Sequence, residues 1–167
     1  MQHSQSKMPS TSYNSSWTAL VWLEIVIKFV GITIGMIAGA LTLANFAFIV
    51  PESIARFSQV VILLLLALGL VAGIVHQYLE REIRPVFFVI LNALAHWGIV
   101  IALVSANLAS LFLVLFCLSM ILGDLVKLRL MGMREVKNTL GLPRAFLYAL
   151  PLLYILGYGL IIVLTFL

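Results

Sequence analysis

The apolar residues of this sequence come in long runs with few charges: Trp17 to Val50, Arg56 to Leu79, Val86 to Val126 and Pro143 to Leu167. A run of about 20 apolar residues is what a helix needs to cross the hydrocarbon of a bilayer. The runs are rich in Leu, Ile, Val and Ala and lack the period-two alternation of a membrane strand, so they are read as helices. Hydrophobic residues make up 63% of the chain and charged residues 10%. A soluble chain of this size has no interior large enough to hide that excess. The fold class is therefore an all-α, polytopic membrane helical bundle.

The stretch 86–126 is too long for one crossing, and its one polar break is Ser105-Ala106-Asn107-Leu108-Ala109-Ser110. A tight hairpin there gives five transmembrane helices, near 17–43, 56–79, 86–105, 108–127 and 144–166, with four as the alternative if part of 86–126 is re-entrant. Pro51 ends the first span and Pro85 opens the third, where its missing N–H costs nothing. Pro151 lies inside the fifth span and should kink it. Residues 1–16 are rich in Ser, Gln, Asn and Thr and are expected to form a disordered cytoplasmic tail. A cleaved signal peptide is disfavoured, because the first apolar run is too long and holds two charges. Residues 128–142 are expected to form a basic connector, lying flat on headgroups or acting as an ordinary loop.

Loop charge sets the expected orientation. In the five-span arrangement Lys7, Arg81, Arg84, Lys127, Arg129, Arg134, Lys137 and Arg144 fall on one side, and Arg56 stands alone on the other. The positive-inside rule then places the N-terminus in the cytoplasm and the C-terminus outside, in a bacterial-type plasma membrane. The net charge of +4 follows from this asymmetry, and no basic patch interleaved with aromatics points to nucleic acid.

Glu24 and Lys28 interrupt the first run four residues apart, on one helical face, and Gly31, Gly35 and Gly39 continue that face. Charges inside a span are costly and a glycine track favours close helix approach, so this stripe should face protein and not lipid. At 1.5 Å per residue Glu24 and Asn92 lie roughly 10 Å from the cytoplasmic boundary, and Lys28 and His96 roughly 16 Å. Asp124 and His76 fall at a comparable level. Four helices thus deliver polar groups to one half of the bilayer, and the expected site is a polar cluster of Glu24, Lys28, Asn92, His96, Asp124 and His76. Each member also has a plain structural reading: an intrahelical Glu24–Lys28 pair, an interhelical hydrogen bond for His96 with Asn92, an interfacial Asp124–Lys127 pair, and packing for Cys117. His76 and Glu80 are too few for a metal site.

No zinc helix, phosphate-binding loop, nucleophile elbow or cysteine pair is present. The sequence assigns no catalytic residue, no metal and no cofactor. Three functions fit: an accessory or structural subunit of a membrane complex, which the short loops and glycine face favour; a small transporter or proton/ion conduit using Glu24, Lys28 and His96; and an intramembrane lipid-binding protein or enzyme. The implied partners are membrane lipid and other membrane subunits or a second copy of the chain.

Overall fold

The computed structural model describes residues 15–49, 51, 53–79, 83–105, 108–132 and 144–167, with the side chains of 15–18, 75–79, 83–85, 144 and 146–147 outside that description. Five helices run in order, α1 (Ser15–Leu43), α2 (Ile54–Leu79), α3 (Ile83–Val104), α4 (Ser110–Gly132) and α5 (Arg144–Thr165), and there is no strand among the described residues. All five are long and apolar enough to cross a membrane. The expected all-helical, five-span architecture is therefore present.

Two boundaries differ from expectation. The first fourteen residues of the expected tail lie outside the described residues, and α1 begins within its last two. At the other end α4 continues through Lys127, Leu128 and Arg129 to Gly132, where a connector was expected. Leu, Met, Lys and Arg all favour helix. Leu130 is buried, and Tyr148 of α5 donates its hydroxyl hydrogen to the Met131 carbonyl at 2.8 Å, which ties down the last turn. The start of α2 is fixed by Ser53, whose Oγ accepts the Arg56 N–H at 3.1 Å, an N-cap that satisfies one of the donors a helix start leaves open.

Each helix packs mainly on two others, and the pairs α1–α3, α3–α2, α2–α5, α5–α4 and α4–α1 close a ring. Contacts along the pairs give the directions. Gly35 faces Ala95 and Gly39 faces Gly98, so α1 and α3 run parallel. Lys28 meets Asp124 while Gly31 meets Ser119, so α1 and α4 are antiparallel. Gly69 lies against Tyr154 while Gln59 reaches Ile161, so α2 and α5 are antiparallel as well. One end of the ring therefore carries the start of α1 and the α2–α3 and α4–α5 connections; it is called the proximal end below.

The glycine stripe of α1 makes these approaches possible. A Cβ at Gly39 would stand 2.6 Å from Gly98 Cα, and one at Gly35 2.5 Å from the Ala95 carbonyl oxygen. Gly31 N–H donates to Ser119 Oγ at 2.9 Å, and the same hydroxyl donates to the Ile27 carbonyl, so a side chain of α4 bridges one turn of α1. The distal half of the ring is a packed core that includes Ile99, Leu103, Val60, Leu63, Leu113 and Phe116. Large apolar side chains such as Leu41, Leu65, Leu156 and Leu153 are more than half exposed on the outside, as a lipid-facing surface requires.

Candidate functional site

Lys28 is the centre of the proximal half. Its Nζ lies 2.8 Å from Glu24 Oε1, one turn earlier on α1, and 2.8 Å from Asp124 Oδ1 on α4. The Lys28 stem lies over Gly123, where any Cβ would collide with its Cγ; this glycine lets a long cation lie between the two helices. Asp124 therefore pairs with Lys28 across a helix interface, and not with Lys127 at the membrane surface as expected. Asp124 is buried and Lys127 is exposed, although three residues along a helix leave two side chains only about 60° apart on one face. One ammonium thus serves two carboxylates, and the triad carries one unbalanced negative charge.

Asn92 and His96 stand on the next helix, α3, both buried. They do not join through their side chains. His96 Nδ1 lies 2.7 Å from the Asn92 backbone carbonyl, and Nε2 lies 2.6 Å from Tyr158 Oη on α5. A carbonyl only accepts, so Nδ1 carries the hydrogen; a fully buried ring with no anion beside it is neutral, so Nε2 accepts and Tyr158 donates. The ring is held edge-on against Phe116, with centroids 5.0 Å apart. Asn92 Oδ1 is buried and accepts no hydrogen bond among the described residues, the kind of orphan that native structures rarely leave unexplained.

These groups surround a cavity of about 230 Å³ to which all five helices contribute. Glu24 and Lys28 come from α1, Gly69 and Gly73 from α2, Phe88 and Asn92 from α3, Asp124 and Lys127 from α4, and Pro151, Tyr154 and Tyr158 from α5. Lys127 and Leu150, both exposed, stand at its rim. Tyr154 donates to the Leu66 carbonyl at 2.8 Å, in the space left by Gly69. Below Tyr158 the packed core closes the distal side.

Of the six residues proposed for the cluster, Glu24, Lys28, Asn92 and Asp124 line the cavity. His96 lies one layer behind, reached through Tyr158. His76 is in the backbone of α2, with its side chain outside the described residues. Sequence reasoning missed Tyr154 and Tyr158, which look like ordinary span aromatics, and Gly123. Spacing alone offered one signal: Tyr154 and Tyr158 are four apart and so share a face, as do Glu24 and Lys28. It also undercounted polar groups in the distal half, where buried Gln59 donates to Thr165 Oγ1 at 3.0 Å and to the Ile161 carbonyl at 3.3 Å. Cys117 is buried in the core, as packing requires. No group of three or more metal-type side chains occurs among the described residues.

Comparison with known proteins finds no family model, no curated relative and no solved structure that matches the chain.

Proposed function

We propose that this membrane protein is a small carrier that admits a polar solute from the proximal, cytoplasmic face into a cavity within the bilayer. The observation that carries the reading is a cavity lined by all five helices, with charged and polar side chains from α1, α3, α4 and α5, and closed on the distal side by packed core. Ionisable groups held at such a depth are costly, and a solute path is the usual reason for them. A binding site near the middle of the membrane, shut toward one face, is the arrangement that alternating access needs. Helix α5 offers the moving part: Pro151 removes a backbone hydrogen bond beside the cavity, and Gly159 has no neighbouring atom within 4 Å where a Cβ would stand.

The accessory-subunit reading draws on the short loops, the absence of chemical motifs and a glycine face able to pack within the bundle or against another subunit. That face packs on α3 and α4 of the same chain, so it supports a closed bundle instead. A lipid headgroup is the second reading, favoured by exposed Leu150 beside Lys127 at the rim.

The test is solute access. In a Cys117→Ser background, Val89→Cys on the cavity wall should react with membrane-impermeant methanethiosulfonates added to the cytoplasmic side of oriented vesicles, and not from the other side. Absence of labelling from either side would overturn the reading.

A further inference from the structure

The cavity wall has a consistent hydrogen-bonding sense. Tyr158 donates its hydrogen to His96 Nε2 and Tyr154 donates its own to the Leu66 carbonyl, so both hydroxyls present only lone pairs to anything else. The direction at Tyr158 is not a free choice. It is imposed one residue further back, where the Asn92 carbonyl takes the Nδ1 hydrogen of His96. Asn92, a lining residue only 7% exposed, holds a buried Oδ1 that accepts no hydrogen bond among the described residues. Glu24 and Asp124 add carboxylate oxygens, and one ammonium, Lys28, is shared between them. Among these groups acceptors outnumber donors, and the Glu24–Lys28–Asp124 triad carries one more negative than positive charge; Lys127 brings the whole wall to two carboxylates and two cations. Lys127 is exposed at the rim, and its charge acts on Lys28, Glu24 and Asp124, so it competes with an incoming cation for the two carboxylates.

Resting on the carrier reading, we infer that the cavity takes a small organic cation whose head is a primary ammonium or guanidinium group. Such a head brings several N–H donors at once, which is what acceptors distributed over α1, α3, α4 and α5 can use. It also supplies the positive charge that the Glu24–Lys28–Asp124 triad lacks. An anion would meet two carboxylates and a set of lone pairs. A neutral polar solute would leave the unbalanced charge in place. Lys28 then has a specific part: it holds the two carboxylates in position while the cavity is empty, and shares them when the ligand arrives.

Titration calorimetry on the full chain in lipid nanodiscs tests this with ethylammonium chloride as probe, against potassium chloride, ethanol and sodium propionate at matched ionic strength. Saturable binding of ethylammonium is expected, weakened about tenfold or more by D124N and by N92A, since each removes a hydrogen-bond acceptor to a charged group. N92A changes no charge and decides the matter if D124N fails to fold. K127Q should bind at least as well as the wild type, because a competing cation has been removed; loss of binding in K127Q overturns the assignment. Binding of propionate or ethanol without ethylammonium also overturns the cation class while leaving a solute cavity. Absence of any binding in a protein whose Val89→Cys form is labelled from one side overturns it in the same way. Absence of both binding and labelling defeats the carrier reading itself.

Discussion

The Lys28 ammonium lies 2.8 Å from Asp124 Oδ1, joining the first helix to the fourth through a pair that is buried on both sides. Removing one partner of such a pair leaves an uncompensated charge, at a cost of about 3–5 kcal/mol. Lys28→Met should therefore lower stability by that order in chemical unfolding from bicelles. The double variant Lys28→Met, Asp124→Leu should recover part of the loss, because it removes one of the two carboxylates, Glu24 and Asp124, that Lys28→Met strands. Additive losses in the double variant would show that the two residues do not act on one another.

Glycines of α3 and α2 should respond very differently to one added methyl group. A Cβ at Gly98 would run into the Gly35 carbonyl oxygen, whereas one at Gly73 would meet Val89 Cγ1 at 4.0 Å, an ordinary contact. Gly98→Ala should destabilise the fold by about 1–3 kcal/mol through forced separation of α1 and α3. Gly73→Ala should be neutral or mildly stabilising, by up to ~1 kcal/mol of helix propensity. Thermal unfolding of both variants in one detergent checks the contrast.

Tyr158→Phe keeps the ring against Phe116 and removes only the hydrogen that His96 Nε2 accepts. The stranded nitrogen should cost about 1–3 kcal/mol. In ¹⁵N spectra of histidine-labelled protein the wild-type His96 ring should report the Nδ1–H tautomer, and the Nε2 resonance should move in the variant while Nδ1 stays.

The orientation expected from the loop charges has a direct readout. Alkaline phosphatase fused after Leu167 should be active and a fluorescent protein fused there dark, as an external C-terminus requires. The opposite pattern would invert the proposed face of solute entry.

Much of this arrangement can be read in the chain because charges in lipid are expensive: Glu24, Lys28 and Asp124 could not be overlooked inside apolar runs. The glycine stripe was legible for the same kind of reason, since three small residues at helical spacing define a face. What could not be read was who meets whom. Depth along a helix follows from counting residues, but the order of helices around a ring does not, so the sequence puts Asp124 at the level of the cluster without choosing between Lys28 across the interface and Lys127 on its own helix. Gly98 and Gly123 stand singly in their spans and show their purpose only against Gly39 and Lys28. The tyrosines hid in plain composition, because an aromatic ring in a span is unremarkable until its hydroxyl has a partner.

The ring order has a consequence for how the protein is made. Helix α1 packs between α3 and α4, yet it is synthesised first, and neither neighbour exists when it leaves the ribosome. Lys28 then has no Asp124 to meet. The i,i+4 spacing to Glu24 gives it a counterion within its own helix, so α1 can enter the bilayer as an electrically neutral segment and hold there. The second carboxylate arrives only with α4, and the final ion pair closes the circle. Glu24 is in this sense a chaperone built into the first span: it accompanies a charge through the interval before its long-range partner has been translated.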